Sequence, residues 1–162
     1  MPWWIISYLK SAGSNFGEVV PGRIYRSAQP DSKRLVKLHD ELGLQAVLNL
    51  RDDNKPEERA EVEAAGLLFY PVPMSDHAAP TDAQIRQALD VLRLGLVTLL
   101  HCVGGRHRSG TIAAVYRVTE QGWSKADAWK ECEKFGWYDF GGHKPLRIWF
   151  EKEFDPARFP RK

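Results

Sequence analysis

The sequence predicts an α/β protein: a single domain with a central, mostly parallel sheet flanked by helices on both faces. Three observations predict it. Continuous apolar runs such as QAVLNL and VTLLH read as strands buried on both faces. Helical patterns with their own start and stop signals separate these runs. Strands and helices alternate along the chain, the order that builds parallel β–α–β units. The 162 residues, 43% hydrophobic, supply one core, expected over about residues 22–135 with a C-terminal helical segment over 136–162.

Gly22 to Arg26 is a short strand candidate. Asp31 to Leu42 places Leu35, Leu38 and Leu42 at helical spacing, and Gly43 stops the run. Gln45 to Leu50 is a buried strand. Pro56 to Ala65 is a helix with proline in its first turn and Gly66 just past its end. Leu67 to Val72 is the next buried strand. Thr81 to Leu94 is a helix whose Thr81 and Gln84 form a capping box and whose Ile85, Ala88, Leu89 and Leu92 make the apolar stripe. Val97 to His101 is the last strand. Helices over Thr111–Gln121, Ser124–Phe135 and Pro145–Phe154 complete the chain, the last with Leu146, Trp149, Phe150 and Phe154 on a core-facing side.

Global charge is uninformative at +2, but its distribution is not. No acidic residue lies between Asp90 and Glu120, whereas Arg93, Arg106, Arg108 and Arg117 all fall there. That is a local cationic field suited to an anion. Two cysteines, Cys102 and Cys132, make no disulfide framework, so a reducing cytoplasm is the expected location. The apolar start, Trp3 to Leu9, precedes Lys10 rather than following a positive charge. It reads as a packing segment, with the remnant of an export signal as the alternative. No run is long enough to span a bilayer. Nothing points to nucleic acid, and a monomer is expected.

The stretch HCVGGRHRSGT, His101 to Thr111, joins the strand VTLLH to a helix. Ligands of open α/β sheets bind at the carboxyl ends of strands, and helix N-termini attract anions. Gly104 and Gly105 let the loop curl so that successive amides form a nest for a phosphate. Cys102 stands at the strand end, six positions before Arg108, and the phosphate-binding stretch is Val103, Gly104, Gly105, Arg106, His107 and Arg108. Inward amides, the helix dipole and nearby cations lower a thiol pKa into the roughly 3.5–7.5 range of nucleophilic cysteines. Arg108 offers a planar fork for two phosphoryl oxygens. Ser109 is placed to donate its hydroxyl to the departing thiolate, and His101 to order the loop by hydrogen bonding. Rival readings fit less well. In GRHRSGT a threonine stands where a nucleotide P-loop needs lysine. His101, Cys102 and His107 lack the paired spacing of a zinc site, so no metal is expected. A merely structural cysteine leaves the glycines and arginines without a purpose.

With the strand, His-Cys, glycine at the third position, arginine at the sixth and then Ser-Gly, HCVGGRHRS resembles the signature of the cysteine-dependent protein tyrosine phosphatase superfamily. The resemblance covers roughly Gly22 to Phe135. GRIYRSAQP, NLRDD after a strand and a proline-rich loop before the signature look like the compact, atypical dual-specificity branch, which includes enzymes acting on inositol phosphates. It implies a tyrosine-phosphatase-like fold, a covalent phosphocysteine intermediate and no cofactor. It also implies a general acid on a loop upstream of the cysteine. Asp76, in YPVPMSDHAAP, is the candidate, although Met74-Ser75-Asp76 replaces the familiar Trp-Pro-Asp. Asp52 and Asp53 read as rim residues, and Asp82 as a helix-stabilising one. His77 reads as a solvated loop residue or a guide for Asp76. His39 reads as structural, and His143 reaches the site only if the C-terminal segment folds back. A chain this short implies a shallow pocket, admitting phosphoprotein or inositol polyphosphate alike. Arg106 and His107 beside Arg108 favour substrates with several phosphates. Arg23, Arg26, Arg51 and Lys144 read as solvated charges that extend a basic rim at most. The non-catalytic alternative, a phosphate-recognition module, needs Arg108 but neither Cys102 nor Asp76. A third, a docking surface of Trp3, Trp4, Trp137 and Trp149, needs those rings exposed.

Overall fold

The computed structural model describes residues 14–53 and 55–161. The apolar segment Trp3 to Leu9 lies outside the described residues, as do Trp3 and Trp4 of the tryptophan surface. Strands β1 (Gly17–Val20), β2 (Ile24–Ser27), β3 (Ala46–Arg51), β4 (Leu68–Met74) and β5 (Thr98–His101) form one sheet in the order β1-β2-β5-β3-β4. Only the β1–β2 pair is antiparallel; β2, β5, β3 and β4 run parallel. The short strand candidate and the three strands expected to be buried are all present, but β4 lies at the sheet edge and is only partly buried, with Leu68 exposed. β1 is the addition: Pro21-Gly22 is a turn signal, but the four-residue GEVV before it gave no run long enough to read.

The helices are α1 (Ser32–Leu42), α2 (Glu58–Ala64), α3 (Asp82–Leu92), α4 (Arg108–Gln121), α5 (Lys125–Lys134) and α6 (Lys144–Lys152). Local chemistry sets their ends. Asp31 accepts from the Arg34 amide to start α1, and Gly43 ends it in the left-handed region at φ 67°. Thr81 and Gln84 form the expected capping box at α3. α4 begins three residues before the expected Thr111. Arg-Ser-Gly read as loop because serine and glycine are weak helix formers, yet His107 O accepts from both the amide and the hydroxyl of Thr111 and closes the first turn.

Alternate strand residues feed two cores. Val47 and Leu99 join Leu35, Leu38 and Val62 under α1 and α2. Leu48, Leu50 and Leu100 join α3, α4, α5 and α6 on the other face. α4 is buried from Arg108 through Tyr116, which makes it the central helix of that layer. Trp149 is buried and Trp137 packs against the same core, so neither serves as an exposed docking ring. No helix among the described residues is long and apolar enough to cross a membrane.

Candidate active site

β5 lies in the middle of the sheet, and the C-terminal ends of its parallel neighbours surround its own. Cys102 follows β5 directly and is buried, with Sγ 3.3 Å from the Ser109 hydroxyl in the first turn of α4. Between them the loop turns its carbonyls back into the protein. Val103 O accepts from the Gln29 amide at 2.9 Å, and Gly105 O from Arg26 Nη2 at 3.0 Å. Asn15 Nδ2 lies 3.2 Å from Gly104 O, 3.1 Å from Gly105 O and 2.8 Å from Phe135 O. A peptide unit whose carbonyl points backwards turns its N–H the other way, and a cavity of about 190 Å³ opens beside this loop. Asp76, Cys102, Val103, Gly104, Arg106, His107, Arg108, Tyr138 and His143 line it.

Of the two loop glycines, only Gly105 is obligatory. It sits at φ 69°, and a Cβ there would stand 2.6 Å from the Ala28 amide nitrogen. Gly104 has ordinary room. Arg26, expected as a solvated rim charge, is instead wholly buried behind the loop, stacked 3.9 Å over the Phe135 ring. Burial pulls its pKa below the ordinary arginine value.

His101, expected to order the loop, is buried and engaged at both ring nitrogens. Its Nδ1 donates to Cys102 O at 2.9 Å, and its Nε2 lies 2.5 Å from Glu58 Oε1. Asn49 donates to the other Glu58 oxygen at 2.7 Å. Burial opposes the Glu58 charge, but the hydrogen bond and charge of His101 outweigh it and hold the carboxyl below its usual pKa.

Arg108 is buried, and its Nη1 donates to Asp52 Oδ1 at 2.8 Å, Asp53 Oδ1 at 3.0 Å and Met74 O at 3.2 Å. Nε of the same guanidinium is buried with no hydrogen-bond partner among the described residues. The rim carboxylates thus hold one corner of the group and leave the Nε edge for another acceptor. For Asp53, burial again opposes ionisation, while Arg51 and Arg108 outweigh it and lower its pKa.

Asp76 follows β4 and lines the same cavity as the loop. Its carboxylate meets His77 Nδ1 at 2.9 Å, and its backbone carbonyl accepts from His143 Nδ1 at 2.8 Å. The C-terminal segment has therefore folded back. His143 is stacked on His107 with centroids 3.5 Å apart, and His77 is stacked on His143 at 4.9 Å. His107 does not add the positive charge expected of it. Its Nε2 faces Tyr138 O at 3.0 Å, and burial with His143 alongside pushes its pKa down to about 4, so the ring is neutral near pH 7. Asp82 pairs with Arg158 away from the cavity, and His39 pairs with Asp40 on the surface of α1. Cys132 is buried away from the cavity lining, and burial pushes its pKa up to about 12, which keeps that thiol protonated.

A family model described as "Tc-R-P: Polymorphic toxin system, DSP-PTPase phosphatase" matches residues 20–122, the segment that carries the cysteine, its loop, Arg108 and Asp76. The chain belongs to this DSP-PTPase phosphatase family. Among proteins similar to this DSP-PTPase chain is the dual specificity protein phosphatase TpbA of Pseudomonas aeruginosa, 33% identical over 121 residues that cover 72% of this chain and 52% of TpbA. The chain spans about half the length of the curated relatives it first matches. The crystal structure of the core catalytic domain of the PP-IP phosphatase SIW14 from S. cerevisiae superposes with a TM-score of 0.73 at 27% identity, covering 89% of this chain and 88% of that one. TpbA from P. aeruginosa in complex with pTyr gives 0.67 at 25% identity, covering 91% of this chain and 94% of that one. The DSP-PTPase fold is thus tyrosine-phosphatase-like, as the signature implied.

Three residues that shape this DSP-PTPase site, Asn15, Arg26 and Glu58, carried no local signal of that role, whereas His143 was expected at the site if the C-terminal segment folded back. Asn15 and Glu58 lie 89 and 43 positions from their loop partners, and Arg26 looked like any surface charge.

Proposed function

We propose that the chain is a metal-independent phosphomonoester hydrolase that works through a phosphocysteine intermediate on phosphoprotein or inositol polyphosphate substrates. The observation that carries it is that Cys102, Asp76 and Arg108, whose Nε has no hydrogen-bond partner among the described residues, line one cavity. The Cys102 thiolate attacks phosphorus while loop amides and Arg108 hold the non-bridging oxygens. Asp76 gives its proton to the leaving oxygen. Water, deprotonated by Asp76, then cleaves the S–P bond. The thiolate leaves with a hydrogen bond from Ser109, and inorganic phosphate is released.

At about 190 Å³ the cavity takes a phosphoryl group and the first atoms of its carrier, well below the roughly 300–1,000 Å³ of sites that engulf small molecules. Such a site reads the phosphate and leaves the carrier outside. TpbA with phosphotyrosine and the PP-IP phosphatase SIW14 point to the two substrate classes respectively. Arg106, exposed at the cavity, is the cation left to favour several phosphates now that His107 is neutral.

The test is turnover of phosphopeptides and inositol polyphosphates by wild type and Cys102→Ser. The variant is expected to bind substrate without turning it over, because the cradle is backbone and Arg108. Turnover retained in Cys102→Ser contradicts the covalent route. Loss of wild-type turnover in EDTA contradicts metal independence.

A further inference from the structure

Three metal-ligating side chains meet at the lip of the cavity, outside the phosphate cradle. They are the carboxylate of Asp76 and the imidazoles of His77 and His143, and one ligand atom from each lies within 4.8 Å of the others. Direction accompanies proximity. Nδ1 of His77 lies 2.9 Å from Asp76 Oδ1, and Nδ1 of His143 lies 3.8 Å from Asp76 Oδ2. The two rings are nearly parallel, 17° apart, and present the same atom to one carboxylate.

A tetrahedral zinc-class ion binds nitrogen and oxygen at roughly 2.0–2.2 Å, which sets its ligands about 3.3 Å from one another. The two nitrogen–oxygen spacings, 2.9 Å to Oδ1 and 3.8 Å to Oδ2, each lie within about 0.5 Å of that value, so a small turn of the carboxylate and of the His77 ring brings both nitrogens and one oxygen to a single ion. One ligand is held in advance: the His143 side chain is 10% exposed and clamped against His107. The other has room to adjust, since the His77 side chain is 57% exposed. Gly142 allows the approach, because a Cβ there would stand 2.7 Å from His77 Cδ2.

We infer that Asp76, His77 and His143 form a binding site for a divalent cation of the zinc class, and that its occupancy switches off phosphate transfer. Two imidazoles and one carboxylate suit Zn²⁺ or Co²⁺, whereas Mg²⁺ and Ca²⁺ want oxygen. Binding replaces the hydrogen bond from His143 Nδ1 to Asp76 O with a metal bond. A carboxylate held by a dication has no proton to give the leaving group, so the inhibitory half of the inference rests on the proposed role of Asp76.

The test is titration of EDTA-stripped Cys102→Ser protein with Co²⁺, followed by calorimetry and visible absorption. That variant removes the competing thiolate. One equivalent should bind and give the ligand-field band of a four-coordinate nitrogen/oxygen site. His77→Ala, in an exposed loop where the fold tolerates it, should weaken binding by about 100-fold, the upper end of the cost of losing even an outer-shell partner. His143→Ala should do the same. In wild type, Zn²⁺ should inhibit turnover and EDTA restore it, while His77→Ala resists the same Zn²⁺. Undiminished affinity in His77→Ala, or binding that vanishes in Cys102→Ser, overturns the site. Binding without inhibition overturns the switch. Failure of the phosphatase reading shows separately, as absent turnover in EDTA-treated wild type while the cobalt titration still reports the site.

Discussion

Arg108 is gripped at one nitrogen by Asp52, Asp53 and the Met74 carbonyl, and the proposed hold on phosphate uses the edge left over. A lysine supplies the charge but a single point of donation, so it cannot satisfy the rim carboxylates and fork two phosphate oxygens together. Arg108→Lys is expected to lower kcat/KM by roughly 10²–10³-fold, as removing one oxyanion donor does in other enzymes. Steady-state kinetics on an aryl phosphate measure this, and near-normal kcat/KM would place Arg108 outside the site. Asp76 calls for a different comparison. As proton donor, its replacement in Asp76→Asn should lower kcat by roughly 10²–10⁴-fold for an inositol or serine alkoxide. The loss should shrink for an activated aryl phosphate, whose oxygen leaves with little help. Equal losses on both, with pre-steady-state bursts showing that phosphocysteine formation limits the rate, would move the donor role to another residue.

At the scale of elements, the strand–loop–helix unit was legible because each part signs itself locally. VTLLH is too short and too apolar to be anything but a buried strand, and the Cys-x5-Arg spacing with its glycines fixes the loop. Its anchoring was not legible, because hydrogen bonds from Asn15 and Arg26 join segments far apart in sequence, and sequence periodicity reports only on neighbours. The start of α4 was misplaced for a related reason: Ser109 and Gly110 are poor helix formers held helical by tertiary burial. The anchoring makes the loop intolerant at one point. Gly105→Ala forces alanine into the left-handed region and against the Ala28 backbone, at a cost of about 1–3 kcal/mol. It should weaken competitive inhibition by inorganic phosphate, while Gly104→Ala, with ordinary room, leaves it nearly unchanged. Equal phosphate affinity in both variants would contradict the assignment of the strained turn to Gly105.

Across the whole molecule, the neutral His107 ties the site to acid stability. Its pKa of about 4 in the folded chain lies below the ordinary value of 6.5, so the unfolded chain takes up the proton first. Stability should therefore fall as pH drops from about 6.5 toward 4, by about 3 kcal/mol in all. Glu58 and Asp53, with depressed pKa values, add their own losses only at lower pH, where carboxylates titrate. Denaturant melts at about pH 7 and pH 5 should show the decline in wild type and a flatter profile in His107→Phe; parallel profiles would contradict it. The loop that holds His107 is also where the early and late parts of the chain meet, through Asn15 on one side and His143 on the other. A ribosome delivers those parts in order. A nascent chain that has emerged as far as Gln121 already carries the cysteine, the arginine and the aspartate, but not the segment that braces the aspartate against the cradle. On the proposed mechanism, the chemical groups are therefore all made before the proton donor can be seated, which waits for residues as far as His143.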